Sequence, residues 1–270
     1  MSSLSLGQTT EYPEEYAPGV LFPIARAEAR GELGLGASLP FRGVDVWNAW
    51  ELTWLDPAGR PVVATATITV DAASPNIVES KSMKLYLGSF AMSRYETAAE
   101  VSALIAKDLS AVAGTPVSVD VSPGPGGALA RVDEMPGICI DDLEFTGLAD
   151  EVNADLLEVA TDKHTAATLH THLLRSLCPV TNQPDFGSLL VAYEGPLIEP
   201  ASLLAYVTSY RRHNGFHEAC VERMFVDIQE RCSPDALTIY ARYTRRGGID
   251  INPWRSSADG SPDNLRLWRQ

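Results

Sequence analysis

The chain has 270 residues, 45% hydrophobic and 21% charged, a composition that can fill a core and does not fit global disorder. Its 21 Lys and Arg stand against 35 Asp and Glu, and the formal net charge of −14 repels phosphate backbones, which excludes a broad nucleic-acid-coating role. No apolar run reaches the length that spans a bilayer, so no membrane partner is expected.

In chain order, residues 1–42 are rich in Pro, Gly and small residues and read as an extended N-terminal arm. Val44, Val46, Trp47 and Trp50 begin a strand that runs to Leu55. Asp56-Pro57-Ala58-Gly59 is a turn, and the β-branched run Val62–Val70 returns from it as the second strand of a hairpin. Ser80–Phe90 reads as a helix. A second helix starts near Glu96, with Ala98, Val101, Leu104, Ile105 and Leu109 on one buried face, and Gly114-Thr115-Pro116 stops it. Val117–Val121 and Ala128–Val132 bracket a Pro/Gly turn as another hairpin. In the second half, Leu156–Leu177 contains strand-like runs, Leu189–Tyr193 is a short strand and Pro200–Arg211 is helical. Asn214 is a candidate N-cap for a helix carrying Cys220, Val221, Met224, Phe225 and Ile228, and Leu237–Tyr243 alternates as a strand. Each half therefore reads strand–strand–helix–helix–strand–strand. The expected division is an arm (1–42), a first module (43–150) and a second module (151–270). The repeat is one of architecture, with no residue-level repeat evident between the halves.

Four segments carry candidate chemistry. Cys178 is a candidate nucleophile, because a thiol attacks as thiolate once a partner or a local field favours ionisation. Asp185 lies seven positions on, past two prolines that enforce a turn-like path. Spacing alone favours a buried structural cysteine and a solvated loop aspartate over a catalytic pair. His217 and Glu218 open a helix, where the dipole stabilises a carboxylate; a carboxylate there can also accept paired N–H donors from a guanine-like edge. Lys81 and Lys84 share one helix face. Arg245-Arg246-Gly247-Gly248 joins guanidinium forks to glycines that let a ligand approach the backbone, and Arg242, Arg245, Arg246 and Arg255 together form a candidate basic pocket. No G-x-G-x-x-G follows a strand, so a Rossmann site is not indicated. His170 and His172 read as surface residues, no His/Cys/carboxylate group has zinc-site spacing, and the expected metal content is none. Cys139, Cys178, Cys220 and Cys232 form no C-x-x-C pair. With no secretory pattern at the N-terminus, free thiols and a cytoplasmic location are expected.

Taken together, Glu79–Tyr86, Cys178–Asp185, Phe216-His217-Glu218 and Arg245–Asp250 resemble the signatures of the NADPH-dependent 7-cyano-7-deazaguanine reductases of queuosine biosynthesis. The resemblance extends from Leu6–Tyr12 to Asn252–Ser256, in the longer, two-module form of that family. It implies an α+β fold of two tandem tunnelling-fold (T-fold) modules, each a four-stranded antiparallel sheet with two helices, and a homodimer. It further implies nitrile reduction with two NADPH and no metal. Cys178 would form a covalent thioimide and Asp185 would supply the proton. Val78, Glu79, Ser80, His217 and Glu218 would bind the deazapurine, and Ser80, Lys81, Arg246 and Gly247 would bind NADPH. The rival readings are a related T-fold cyclohydrolase and a non-catalytic purine- or pterin-binding T-fold protein.

Overall fold

The structure, a computed structural model, describes residues 12–36, 38–125, 131–145 and 148–270. It is a mixed α+β protein that divides into two compact units. The first comprises Met1–Glu28, Asp45–Arg131 and Arg245–Ile251; the second comprises Ala29–Val44, Val132–Thr244 and Asn252–Gln270.

The N-terminal stretch is not a bare arm. It holds the short strand β1 (Pro23–Ala25) and the helix α1 (Arg26–Glu32). The hairpin follows as β2 (Arg42–Leu55) and β3 (Pro61–Asp71). The short strand β4 (Asn76–Val78) pairs antiparallel with β1 and leads into α2 (Ser80–Gly88). Next come α3 (Ala98–Ala113) and β5 (Ser118–Pro123). Thr97 Oγ caps α3 by accepting from the Glu100 N–H, and Gly114 ends it in the left-handed region at φ 75°. In the first unit β3 lies between β2 and β5. Trp47, Leu52, Ile68, Met83, Tyr86, Val101, Ile105 and Leu109 are among the core residues that close over this sheet. The expected strand Ala128–Val132 falls partly on residues 126–130, outside the described residues. Its described end, Arg131 and Val132, is not in a strand.

The second unit carries β6 (Ile138–Cys139), β7 (Val159–Leu177), β8 (Pro184–Ile198), α4 (Pro200–Thr208), α5 (His217–Cys232), β9 (Ala236–Tyr243) and, from Asn252 on, the rest of β10 (Ile249–Ser256). From β10 the order runs β10-β9-β8-β7-β6. The β7–β8, β8–β9 and β9–β10 ladders are antiparallel, as the reading of four strands expects, but β6 adds a fifth strand parallel to β7. Gly137 makes that pairing possible. It takes φ 87°, and a Cβ there would lie 2.2 Å from the Thr168 carbonyl oxygen. Asn214 does not cap α5; the N-cap is Phe216, which has no side-chain cap bond, and the backbone at Asn214 bridges to Leu177.

Aligning the two helix pairs uncovers a repeat that a reading by architecture misses. Ser82 Oγ donates to the Glu79 carbonyl at 2.7 Å and Ser89 Oγ to the Tyr86 carbonyl at 2.6 Å. Ser202 Oγ and Ser209 Oγ make the same bonds to Glu199 and Tyr206, at 2.7 and 2.6 Å. Tyr86 Oη donates to Asp108 at 2.7 Å, and Tyr206 Oη donates to Asp227 at 2.7 Å. Each tyrosine is the seventh residue of its helix and each aspartate the eleventh of the next. Glu-x-x-Ser-x-x-x-Tyr-x-x-Ser thus occurs at 79 and again at 199.

Candidate active site

In the second unit, β7 ends at Leu177 and β8 begins at Pro184. Leu177 faces Pro184 and Ser176 faces Asp185 in the ladder. Cys178 opens the connecting loop, where its N–H donates to the Gln183 carbonyl and its carbonyl accepts from the Asn182 N–H, both at 2.9 Å. Asn182 closes this loop at φ 56°, a region asparagine tolerates better than most residues. The ladder therefore turns a separation of seven residues into proximity. Cys178 and Asp185 are both buried, at 8% and 7% exposure.

The chain ahead of α5 is fastened to the same place. The Leu177 N–H donates to the His213 carbonyl at 2.8 Å, and the Gly215 N–H donates to the Leu177 carbonyl at 3.0 Å. This brings the start of α5 to the mouth of β7, where His217 Nε2 lies 3.3 Å from Asp185 Oδ2. The His217 ring stacks on Tyr243 with centroids 3.6 Å apart and planes within 3°. Its Nδ1 is buried with no hydrogen-bond partner among the described residues. Glu218 is buried in the first turn of α5, where exposed helix N–H groups favour its charge. Cys220 lies in the same helix, fully enclosed. Burial pushes its thiol up to about 12, against hydrogen bonds from Ser176 and Tyr243 that lower it. Burial likewise raises Cys232 to about 11. Neither thiol supplies a thiolate at neutral pH, and all four cysteines are free.

In the first unit, Glu79 caps α2. Its two carboxylate oxygens accept from the Lys81 N–H at 2.9 Å and the Ser82 N–H at 2.7 Å. Val78 belongs to the hydrophobic core. The Arg246 N–H donates to the Ile249 carbonyl at 2.9 Å around Gly247 and Gly248, both at positive φ (62° and 78°), a tight turn that needs glycine. A Cβ on Gly247 would lie 2.9 Å from Lys84 Cδ, so the lysine-bearing face of α2 and the glycine turn are neighbours. Arg245 stacks on Trp50 with its guanidinium carbon 4.0 Å from the ring centroid. Asp250, fully buried, accepts from Asn48 Nδ2 at 2.8 Å and from the Trp50 indole N–H. Lys84 of α2 and Gly247 thus meet in the first unit, with Ser80 and Lys81 one turn earlier in the same helix.

Two of the four arginines of the expected basic pocket, Arg242 and Arg255, are taken up by partners inside the second unit. Arg255 is fully buried against Glu222, with its Nη2 at 2.9 Å, and Arg30 grips the same carboxylate at 2.7 Å. Arg242 is spent on Tyr240, Asn264 and Gln270. Arg255 has its charge met by Glu222, and Arg242 has neutral partners, all inside the second unit. His170 is not a surface residue either; it is 8% exposed. Tyr243, Ser176 and Cys220 were not singled out by spacing. Their grouping depends on a register that places Tyr243 opposite Gly187, for which no local signal exists.

Family models match at two places: "Nitrile reductase, 7-cyano-7-deazaguanine-reductase N-term" over residues 12–121, and "QueF-like protein" over residues 184–261. An NADPH-dependent 7-cyano-7-deazaguanine reductase from Dechloromonas aromatica (strain RCB) is 49% identical over 98% of this chain and 94% of its own length. The protein of that name from Bordetella pertussis is 52% identical over 100% of this chain and 99% of its own. The chain belongs to the NADPH-dependent 7-cyano-7-deazaguanine reductases. Among solved structures, an archaeosine synthase QueF-like protein in its apo form is 15% identical, covering 38% of this chain and all of its own, with a TM-score of 0.31. In this reductase the motif residues fall into two groups: Cys178, Asp185, His217 and Glu218 in the second unit, and Val78, Glu79, Ser80, Lys81, Arg246 and Gly247 in the first.

Proposed function

We propose that the chain reduces 7-cyano-7-deazaguanine to 7-aminomethyl-7-deazaguanine with two NADPH, through a covalent thioimide on Cys178, on the route to queuosine in tRNA. The observation that carries this reading is the grouping of Cys178, Asp185 and His217 at one end of the β7–β8 ladder, with the other buried thiols held protonated.

A nitrile carbon is a poor hydride acceptor, and covalent addition replaces one hard step with easier ones. The Cys178 sulfur forms the C–S bond while one C≡N π bond opens onto nitrogen, and Asp185 delivers the proton that the nitrogen takes up. NADPH supplies the hydride in each of two rounds. The sulfur leaves as thiolate on the way to the amine, so the enzyme is regenerated. His217, held flat on Tyr243, offers its buried Nδ1 to the bound base, and Glu218 accepts from the base's N–H edge. Glu79 gives both carboxylate oxygens to its own helix, so its part in base binding is as the fixed end of α2, beside Val78 and Ser80. Lys81, Arg246 and Gly247 suit the anionic groups of NADPH, with Ser80 beside them, because a glycine turn admits phosphate to the backbone.

The helix-pair repeat supports two tandem T-fold modules at 43–150 and 151–270 behind an arm at 1–42. A homodimer, a cytoplasmic location and no direct nucleic-acid contact belong to the same reading. The test combines purified protein, 7-cyano-7-deazaguanine and NADPH and follows nicotinamide absorbance, with intact mass measured when NADPH is withheld. Two NADPH are consumed per nitrile, and the chain gains the mass of one base, which Cys178→Ala abolishes. Wild-type turnover by Cys178→Ala would sink the covalent scheme; base binding without NADPH oxidation would sink the activity.

A further inference from the structure

We propose that Cys139, His170 and His172 form a binding site for a single zinc-type divalent ion. This rests on the second unit alone and is independent of the reductase chemistry. The three side chains belong to adjacent strands. Cys139 of β6 pairs directly with His170 of β7, and strand alternation turns His172 to the same face. One donor atom from each lies within 4.8 Å of the others. Bonds of about 2.0–2.3 Å to zinc put tetrahedral ligand atoms about 3.3–3.7 Å apart, so about 1 Å of closure is needed. Cys139 is exposed and can supply it by side-chain rotation.

The surroundings are those of a built site. His170 Nδ1 lies 3.0 Å from the Pro136 carbonyl, which can only accept, so the proton is on Nδ1 and Nε2 keeps its lone pair. His172 Nδ1 lies 2.7 Å from Ser188 Oγ, a hydroxyl able to accept in the same way. A ligating imidazole that passes its other N–H to a carbonyl or hydroxyl is the support that metal-bound histidines need. Bonds just past Cys139 fix the end of its strand. The Ile140 N–H donates to the His170 carbonyl at 2.9 Å, and Asp141 Oδ1 accepts from Thr171 Oγ1 at 2.6 Å and the His172 N–H at 3.0 Å. Asp141 also offsets the charge of Arg269, whose Nη2 donates to the His172 carbonyl at 2.7 Å. Two imidazoles and a thiolate select zinc-type over magnesium- or calcium-type ions, and three ligands leave the fourth position to water. Binding releases the thiol proton to solvent. The spacing conceals this set, because Cys139 and His170 meet only through the parallel β6–β7 pairing.

The probe is Co²⁺ added to metal-free full-length protein. One equivalent per chain should bring up a thiolate-to-cobalt charge-transfer band with intense visible d–d bands, and Zn²⁺ should bleach both. Cys139→Ser should lose the charge-transfer band at an unchanged thermal midpoint and circular dichroism spectrum, while Cys178→Ala keeps it. The proposal is overturned by the absence of such a band in the wild-type chain. It is equally overturned by a band that survives Cys139→Ser, which would place the ion on another thiol.

Discussion

Asp185 and His217 share one contact of 3.3 Å, and it sets what a substitution at Asp185 can do. Asparagine keeps the shape and can still meet the imidazole but cannot give up an acid proton. Asp185→Asn should therefore slow adduct formation on the order of 10²–10⁴-fold, the usual worth of a positioned general acid, with the dissociation constant for the base changed only a few-fold. Stopped-flow detection of the adduct beside equilibrium binding separates the two; equal losses in both would mean that Asp185 acts by binding. A second consequence concerns thiol chemistry. Cys220, raised to about 12 by burial, and Cys232, raised to about 11, should resist iodoacetamide at neutral pH while exposed Cys139 reacts in metal-free protein. Peptide mapping reads this directly, and prompt labelling of Cys220 would contradict its enclosure. The Cys178–Asp185 loop stood out in the sequence only through its resemblance to a family motif, since their separation of seven residues decides nothing by itself. Tyr243, on which His217 lies, did not stand out, since stacking depends on a strand register between residues far apart in the chain.

At the scale of elements, each helix pair is tied by one carboxylate. Asp108 accepts from Tyr16 and Tyr86 at 2.6 and 2.7 Å. Asp227 accepts from Tyr206, whose hydroxyl is also 2.9 Å from that of Tyr210. Removing the acceptor strands a buried hydroxyl, at a cost of about 1–3 kcal/mol. Asp227→Ala should lose stability of that order in urea. Tyr206→Phe in the Asp227→Ala background should recover part of it, because the stranded donor is then gone. A double-mutant cycle with no coupling would deny the tie. The helices themselves were readable from their apolar spacing, but the recurrence of Glu-x-x-Ser-x-x-x-Tyr-x-x-Ser was passed over. Pro200 replaces Ser80 at the first helical position, and the apolar positions between differ, so the shared polar framework stands out only when both helix starts are fixed.

For the molecule as a whole, the same buried hydroxyls and thiols dictate how it fails in base. In the first unit Tyr16 and Tyr86 are raised by burial and by Asp108. In the second, burial raises Tyr206, Tyr210 and Tyr243 well above their ordinary value and moves Cys220 from 9.0 to about 12. Each group keeps in the folded state a proton that the unfolded chain gives up, so its contribution is complete below the unfolded pKa and is lost as pH rises towards the folded one. The cysteines open that window near pH 9.0 and the tyrosines extend it from 10.0 upward. Cys220 alone accounts for up to about 1.4 kcal/mol per pH unit once its unfolded form is ionised. The urea midpoint should hold between pH 7 and 8 and fall steeply from about pH 9. Cys220→Ser, which carries no group titrating there, should show a shallower fall over the first unit of that range. A midpoint that is flat through pH 10, or a Cys220→Ser slope equal to wild type, would show that these protons do not hold the fold.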